Sequence, residues 1–238
     1  ARLWQEYYCS GWGEGMFGGA PFTRVIPVAK SVEPGQEILP YEKAAELISE
    51  YDFAVVIHCP CRKSAELAGG GCGKPTEVCF HFGDLARFMV DKGLGREVSR
   101  QEVLEILDMT EKAGLVHMVG NSKEMGVALC SCCSCCCTQL RAIAEFSIPN
   151  TFAMASSRFQ AELAGAKCIS CGVCAERCGF GAIAIGDDGR IDGGKCLGCG
   201  LCVTTCPTEA ITLKERGGYQ EPPATGLELF EAWSKKPA

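Results

Sequence analysis

The chain has 238 residues, 47% of them hydrophobic, which is enough to build one large domain or two small ones. Its formal net charge of −6 argues against a nucleic-acid-binding protein, which needs a basic face to meet the phosphates. No run of about eighteen apolar residues occurs, so the sequence predicts no membrane span.

Cysteine is the residue that stands out, with 19 copies in the chain. Disulfide frameworks are typical of short secreted chains with an even number of cysteines, whereas this chain is long and its count is odd. Runs such as Cys135–Cys137 are also too crowded for disulfide geometry. The pattern favours thiolate metal sites in a reducing compartment, and we predict a cytoplasmic protein. The chain starts at Ala1 without a methionine, which leaves room for a native N-terminus upstream.

Helices and strands alternate in residues 1–150. Apolar residues at helical spacing predict a helix over Tyr41–Tyr51, followed by a short apolar strand over Phe53–Ile57. The same spacing predicts another helix over Gly83–Lys92. These elements indicate a cysteine-rich domain of mixed α/β character.

The second half of this domain continues the alternation. The capping box Ser99–Glu102 opens a helix that runs through Lys112. Two apolar segments, Leu115–Val119 and Met125–Leu129, are predicted to form a hairpin. A further helix is predicted over Thr138–Phe146, directly after the densest run of cysteines.

Four cysteines follow the strand predicted over Phe53–Ile57 and form the first cysteine group. They are Cys59, Cys61, Cys72 and Cys79. We predict that they lie on loops around one strand–helix junction, where Cys59 and Cys61 share a face if the segment is extended. Four thiolates complete a tetrahedral set, and we predict that they hold a [4Fe-4S] cluster. Structural zinc and free or redox-active thiols are the alternatives.

The second cysteine group puts six cysteines into eight consecutive residues that begin at Cys130. Neighbouring cysteines point in different directions, so the six cannot all serve one small cluster. Cys130, Cys133 and Cys136 have the C-x2-C-x2-C spacing of iron–sulfur loops. The fourth ligand would be Cys137, Cys9 or a non-cysteine group. We predict at least one further cluster here, with candidate ligands Cys130, Cys133, Cys136 and Cys137.

Other uses of the second group stay open. Cys132 with Cys135, or Cys133 with Cys137, could combine with thiols of the first group in a shared site. A catalytic dithiol is another alternative. A metallothionein-like patch of soft-metal ligands fits poorly inside a domain of apolar, capped helices.

The last cysteine group is an internal repeat. Residues 168–178 and 196–206 carry the same C-x2-C-x2-C-x3-C pattern, shifted by 28 positions. The similarity extends past the cysteines, because Gly172 matches Gly200. A repeat this close predicts two copies of one small unit, related by a pseudo-two-fold axis.

The spacing inside each repeat suits an iron–sulfur cube. Three thiolates spaced by two residues wrap one corner of the cube, and the fourth cysteine points away and serves the other cluster. The sequence therefore predicts two [4Fe-4S] clusters. Cluster 1 has the ligands Cys168, Cys171, Cys174 and Cys206, and cluster 2 has the ligands Cys196, Cys199, Cys202 and Cys178. Zinc fits poorly, because it prefers paired C-x2-C knuckles.

On these motifs, residues 163–214 resemble the bacterial two-cluster ferredoxins. Pro207 follows the last cysteine, as in that family, whereas Cys178 is followed by Gly179. We expect this departure to leave ligation intact. The resemblance implies a one-electron carrier of low potential, within the wide range that such clusters span.

A second resemblance extends over most of the chain. The motifs Cys59-Pro-Cys-Arg62, Cys72–Cys79, Gly114-Leu-Val-His117 and the cysteine run after Leu129 precede the ferredoxin unit. This order is similar to a group of long 4Fe-4S binding proteins of anaerobes. It implies electron transfer within a larger redox system and gives no substrate.

Together these features predict an α+β protein with a cysteine-rich α/β domain (1–150), a linker (151–162), a ferredoxin-like two-cluster domain (163–214) and a tail (215–238). The predicted function is low-potential electron transfer, as a carrier or as a subunit of an oxidoreductase complex, with three to four [4Fe-4S] clusters and a redox protein as partner. The alternative is a redox enzyme whose N-terminal cluster or dithiol acts on a substrate and is reduced by the ferredoxin domain.

Overall fold

The structure is a computed structural model and describes residues 1–12, 20–34, 36–39, 42–124, 126, 128–149, 153–186 and 189–234. The α-helices in this part of the chain are α1 Arg2–Tyr7, α2 Ala44–Ser49, α3 Pro60–Leu67, α4 Gly83–Asp91, α5 Arg100–Lys112, α6 Thr138–Phe146, α7 Val173–Arg177 and α8 Gly226–Ser234. The strands are β1 Thr23–Val25, β2 Ala54–His58, β3 Glu77–Phe82, β4 Arg96–Glu97, β5 Val116–Gly120, β6 Ala128–Cys132, β7 Phe159–Leu163, β8 Ile183–Ala184, β9 Arg190–Ile191 and β10 Ile211–Glu215.

Six strands of the N-terminal half form one antiparallel sheet in the order β1-β5-β6-β3-β2-β4. Strands β5 and β6 pair as the predicted hairpin, although Met125 and Val127 of that prediction lie outside the described residues. In the centre of the sheet, β3 pairs with β6 and sets Cys79 opposite Cys130. The sheet therefore joins the first and second cysteine groups.

Helix α5 covers the apolar face of this sheet. Its predicted cap is present, because the Ser99 hydroxyl accepts a hydrogen bond from the Glu102 N–H at 3.1 Å. Val103 and Leu107 of α5 are buried in the main N-terminal core. The other buried members of this core are Ile26, Leu47, Ile48, Ala54, Val56, Phe80, Phe82, Val98, Val119 and Leu129.

The predicted helices are largely confirmed. Helix α6 has the predicted bounds, α4 ends one residue early at Asp91, and α2 is shorter than predicted. Its predicted first residue, Tyr41, lies outside the described residues.

The prediction that the first cysteine group lies on loops is wrong for two of its four members. Cys61 lies in the first turn of helix α3, and Cys79 lies within strand β3. Cys72 occupies a loop, and Cys59 caps α3 at the predicted strand–helix junction. The reason is Pro60, whose fixed backbone angle and missing N–H suit the first helical position. Since the segment is helical, the shared face expected for an extended chain does not apply.

The C-terminal module is a small α+β unit with two strand pairs. Strand β7 pairs with β10, and β8 pairs with β9, both antiparallel. Strand β7 begins at Phe159, inside the segment predicted as linker, and Phe159 is fully buried in the module's core. Helix α7 follows the first cysteine loop, whereas the corresponding residues of the second repeat, 201–205, form turns.

The C-terminal segment packs back onto the N-terminal domain. Leu229 of α8 is buried, and the ring of Trp233 contacts Phe22, with 6.2 Å between ring centroids. The Lys123 N–H also donates to the Pro223 carbonyl at 2.8 Å. None of the helices in the described ranges combines the length and apolarity that a bilayer crossing requires.

Candidate metal centres

The cysteine loops of the C-terminal module have the backbone form that iron–sulfur ligation needs. Gly172 and Gly200 adopt positive φ angles of 81° and 79°. A Cβ atom at Gly200 would lie 2.0 Å from the Ser31 hydroxyl, so this loop approaches the N-terminal domain as only glycine allows. The backbone N–H of Ala161 donates a hydrogen bond to the Cys196 sulfur at 3.4 Å. Such hydrogen bonds tune the potential of a bound cluster.

The four cysteines predicted for cluster 2 line one cavity of about 170 Å³. They are Cys178, Cys196, Cys199 and Cys202. Apolar side chains such as Phe180, Leu197 and Leu201 form much of the remaining lining, which also includes Lys74, Glu176 and Arg177. Burial raises the pKa of Cys199 to about 12, so its thiolate form requires positive countercharge. A cavity lined by four thiols of this kind fits an iron–sulfur cluster.

The cysteines predicted for cluster 1 lie closer to the protein surface. Cys174 is buried, whereas Cys171 is exposed, and neighbouring Ile169 is 63% exposed. The Ala210 N–H donates to the Cys206 sulfur at 3.2 Å. Partial burial acts to raise the pKa of Cys206, but the surrounding amide donors outweigh it, and the pKa is lowered.

Ten thiols of the N-terminal domain form two groups, and the larger is named here the six-thiol group. Its members are Cys59, Cys61, Cys79, Cys130, Cys132 and Cys137. The sulfur atoms of Cys79 and Cys130 are 3.6 Å apart across the β3–β6 pair. Cys130 and Cys132 share one face of β6, and their thiols interact. Hydrogen bonds from Cys132 and Cys79 lower the pKa of Cys130 well below its usual value.

The six-thiol group continues into the first turns of two helices. Cys132 also interacts with Cys137, the cap of α6, and Cys137 interacts with Cys61 in α3. Cys61 in turn interacts with Cys59. Two helix N-termini therefore face this group, and their free N–H groups favour negative charge. Hydrogen bonds from Cys132 and Cys61 lower the pKa of Cys137.

The smaller set is named here the four-thiol group. It consists of Cys72, Cys133, Cys135 and Cys136, whose sulfur atoms all lie within 4.8 Å of one another. The sulfur of Cys72 is 4.0 Å from that of Cys133, and the sulfurs of Cys135 and Cys136 are 3.8 Å apart. Cys133 and Cys136 are buried, and Cys135 is exposed.

A buried guanidinium lies beside both thiol groups. Arg62 is 2% exposed, and its Nη1 donates to the Ser131 carbonyl at 3.0 Å and to the Cys133 sulfur at 3.8 Å. Within the part of the chain that the structure describes, its buried Nε and Nη2 atoms have no hydrogen-bond partner and no carboxylate forms an ion pair with it. Cys59 and Cys132 are the other nearby groups that can carry negative charge. An uncompensated buried cation is costly, so this arrangement fits anionic metal–thiolate centres.

The structure distributes the predicted N-terminal ligands differently from their order in the sequence. Of the first group, Cys59, Cys61 and Cys79 lie in the six-thiol group and Cys72 in the four-thiol group. The further set, Cys130, Cys133, Cys136 and Cys137, divides evenly between the two groups. The suggested pairs, Cys132 with Cys135 and Cys133 with Cys137, are likewise separated. The ligand assignments stay predictions.

Cys9 and two of the three histidines lie apart from these thiol groups. Cys9 is exposed, and its sulfur accepts from the Arg141 Nη2 at 3.4 Å. His58 contacts the Thr76 hydroxyl at 3.0 Å, and His117 is buried. The exception is His81, whose Nε2 lies 4.0 Å from the Cys79 sulfur.

The cluster 2 cavity and the N-terminal cysteine run meet directly. Cys132, Cys133 and Cys135 form part of the wall of the cavity that the cluster 2 cysteines line. A Cβ atom on Gly179 would lie 2.4 Å from the Ser134 hydroxyl, so the missing side chain allows this close approach. Glycine here, where the ferredoxin pattern has proline, is thus a packing feature.

Polar contacts fix the same junction. Arg177 of α7 forms an ion pair with the buried carboxylate of Glu111 at 3.1 Å, and the Thr204 hydroxyl donates to that carboxylate at 2.6 Å. The Val28 N–H donates to the Cys199 carbonyl at 3.0 Å. The two regions are therefore packed with ordered contacts around cluster 2.

Comparison with known proteins identifies one part of the chain. Residues 167–210 match the family of 4Fe-4S dicluster domains. The match includes all eight cysteines of the repeat, so the chain carries a ferredoxin-type 4Fe-4S module. Searches among curated proteins and among solved structures found no match.

Proposed function

We propose that the protein transfers electrons at low potential, as a carrier or as a subunit of an oxidoreductase complex. Two [4Fe-4S] clusters would occupy the C-terminal module, related by its pseudo-two-fold repeat, with Cys178 and Cys206 as the exchanged ligands. At least one further iron–sulfur cluster would be held by the six-thiol group in the N-terminal domain. The protein would work in a reducing compartment such as the cytoplasm.

One observation carries this proposal, namely the shared wall between the two regions. Cys132 lines the cluster 2 cavity and also belongs to the six-thiol group. Cys132 and Cys137 share an apolar cluster with Leu197 and Leu201 of the module. If both sites held clusters, these residues would give an electron a short and largely apolar route between cluster 2 and the N-terminal centre. Apolar surroundings of this kind also limit solvent access and set the potential.

Cluster 1 supplies the end of the route that faces a partner. Cys171 is exposed, and the apolar side chains of Ile169 and Val173 beside it are 63% and 39% exposed. A redox partner that docks on this surface would come close to cluster 1. Electrons would then pass between cluster 1, cluster 2 and the N-terminal centre.

The number of thiols supports a carrier over an enzyme with an open iron. The six-thiol group offers more sulfur ligands than a four-iron cluster has irons, so each iron can be capped by cysteine. When bound, such a cluster supplies reversible one-electron transfer. The chain's own groups hold it, exclude water and donate hydrogen bonds to its sulfur ligands.

Iron and acid-labile sulfide analysis of anaerobically purified protein tests the proposal. We expect about 12 iron and about 12 sulfide per chain from three clusters, and low-temperature EPR signals after reduction. Replacing Cys79, Cys130 and Cys132 together with serine leaves three of the six thiols, too few to cap four irons, and should remove about four of each, whereas Cys9→Ser should remove none. About eight of each in the wild type, unchanged in the triple variant, would confine the clusters to the C-terminal module and contradict the N-terminal part of the proposal.

A further inference from the structure

We propose that the four-thiol group binds one metal ion, zinc or iron, through four thiolates and without bridging sulfide. This centre is separate from the iron–sulfur clusters of the proposed function. It stands whether or not the six-thiol group holds a cluster. Both ions suit a tetrahedral site of four sulfur ligands, so the inference names the shared chemistry and the experiment distinguishes the metals.

The spacing of the sulfur atoms is the first argument. A zinc–sulfur bond of about 2.3 Å in a tetrahedron places the sulfur atoms about 3.8 Å apart, since the edge is about 1.63 times the bond. The pairs Cys72–Cys133 and Cys135–Cys136 are 4.0 and 3.8 Å apart, and no pair in the group exceeds 4.8 Å. Four sulfurs at this separation surround the volume of a single ion.

A four-iron cube needs a wider arrangement. Each of its cysteines caps a different iron at a separate corner, so the cysteine sulfurs stand further apart than around one ion. The cysteines of the C-terminal module allow a comparison of sulfur spacing within the same structure, because residues 167–210 match a 4Fe-4S family. Within the described residues, no other set of three or more cysteine, histidine or acidic ligands comes within 4.8 Å. The four-thiol group is thus more compact than the cluster ligands.

The local backbone brings the four thiols together from two segments. Cys133, Cys135 and Cys136 lie in one turn, closed by the Cys137 N–H donating to the Cys133 carbonyl at 3.3 Å. Cys72 comes from the glycine-rich loop after α3, where Gly73 has a φ of 69°. A metal ion would cross-link this loop, which forms no helix or strand, to the turn.

The surroundings of the group fit the charge of such a centre. Four thiolates around a divalent ion carry a net charge of −2, and binding releases the thiol protons to solvent. The buried Arg62 contacts the Cys133 sulfur, and two of its nitrogen atoms have no hydrogen-bond partner among the described residues. Lys74 lies two residues after Cys72 and donates to the Ala113 carbonyl at 2.9 Å, which fixes the end of the loop.

The position of the proposed centre indicates a structural role. Ser134 lies between two of the proposed ligands and packs against Gly179 of the module, which leaves room for it because glycine has no side chain. Cys133 and Cys135 also line the cluster 2 cavity. An ion in the four-thiol group would therefore fix the turn that forms the wall between cluster 2 and the six-thiol group.

Metal and sulfide analysis of the same anaerobic preparation tests this inference. Iron–sulfur cubes contribute equal amounts of iron and sulfide, whereas a single ion contributes metal alone. We expect total iron plus zinc to exceed sulfide by about one per chain. After dialysis against a chelator, Cys72→Ser and Cys135→Ser should each lose this ion with sulfide unchanged, whereas Cys9→Ser should retain it.

The metal itself follows from two further measurements on the wild-type protein. Excess zinc identifies a zinc site, and excess iron with a high-spin ferric EPR signal after mild oxidation identifies an iron site. Cys135 is exposed, so its variant should fold, which circular dichroism and the module's EPR signals would verify.

Two results would overturn the inference. One is the loss of equal amounts of iron and sulfide from Cys72→Ser, which would indicate a cube at these ligands. The other is wild-type protein whose metal and sulfide contents are equal. The proposed function is judged separately by the amount of sulfide. About eight sulfide per chain with one metal ion in excess would contradict only the proposed N-terminal cluster. About 12 sulfide per chain with no metal in excess would contradict only the single-ion site.

Discussion

The two cysteine-rich regions of this protein assemble their sites in opposite ways. In the C-terminal module, each predicted cluster takes three ligands from one short loop and a fourth from the matching repeat. In the N-terminal domain, the six-thiol group combines the N-terminal ends of helices α3 and α6 with the paired strands β3 and β6, so its members are spread from Cys59 to Cys137. The first arrangement follows from the spacing of the cysteines along the sequence, whereas the second requires the folded sheet.

The largest expected effect tests whether loss of one cluster in the module leaves the other metal centres intact. Cys202→Ser removes a predicted ligand of cluster 2 from a buried, thiol-lined cavity. We expect the loss of about four iron and about four sulfide, with cluster 1 and the N-terminal metal retained, because each cluster has its own ligand set. Metal analysis and EPR measure this result.

The same variant tests the proposed route through cluster 2. Reduction of the N-terminal centre by a donor that docks at cluster 1 should slow by orders of magnitude in Cys202→Ser, as followed by stopped-flow absorbance. Cys9→Ser serves as the matched thiol control. Loss of all iron from the chain would contradict the idea that the two regions hold their metals independently.

The next prediction concerns the contact between the two regions. Gly179→Ala places a Cβ atom 2.4 Å from the Ser134 hydroxyl, so the junction must open. Overpacking of this kind costs about 1–3 kcal/mol of the free energy of unfolding. Urea unfolding under anaerobic conditions would measure the loss.

Two variants isolate the cause of that loss. No atom of the described residues lies within 4 Å of a Cβ added at Gly186, so Gly186→Ala should be nearly neutral. Removing the opposing hydroxyl with Ser134→Gly should restore much of the stability of Gly179→Ala. Equal destabilisation by Gly179→Ala and Gly186→Ala would show that the close contact with Ser134 is not the reason why position 179 requires glycine.

A smaller effect is expected from the buried cation next to the N-terminal centres. Arg62→Met removes a positive charge beside the thiol groups and so disfavours the more negative, reduced state of a cluster there. We expect its potential to fall on the order of 50 mV, corresponding to about 1 kcal/mol for one electron. Redox titration followed by EPR would measure the change.

Arg62→Lys separates charge from shape. Lysine keeps the charge but not the planar hydrogen bonds, so the potential should stay closer to that of the wild type. The potentials of the two module clusters serve as an internal reference. A potential shift in the module equal to that of the N-terminal centre would rule out a local role for Arg62.

What could be read from the sequence follows the same division. The repeat of Cys168–Cys178 at Cys196–Cys206 is local, and residues 167–210 match the dicluster family. The helix predicted over Thr138–Phe146 has the predicted bounds because its apolar periodicity and length suffice to define it.

The N-terminal thiol groups could not be deduced from spacing alone. They depend on the pairing of Cys79 with Cys130, whose positions are far apart in the chain, and on helix α3, which was not predicted. The segment after Cys59 resembles a loop, but Pro60 at the first helical position indicates a helix start. The alternation of Cys130 and Cys132 along β6 was a usable signal for one shared face.

The smallest expected effect distinguishes the two regions by pH. All three histidines of the chain precede the module, and His117 is the buried one. Burial lowers its pKa to about 4, outweighing the opposing influence of the Leu107 backbone and the Glu111 carboxylate. An ordinary histidine has a pKa of about 6.5.

The sign of the pH dependence follows from these two values. As the pH falls below about 6.5, the unfolded chain binds a proton at His117, whereas the folded domain does not until about pH 4. The free energy of unfolding of the N-terminal domain should therefore fall by about 1 kcal/mol between pH 7 and pH 5.5. In His117→Gln this part of the slope should disappear, whereas the exposed His58→Gln should retain it. If the slope persists in His117→Gln, acid is acting on the metal–thiolate centres instead, since protons compete with metal for sulfur.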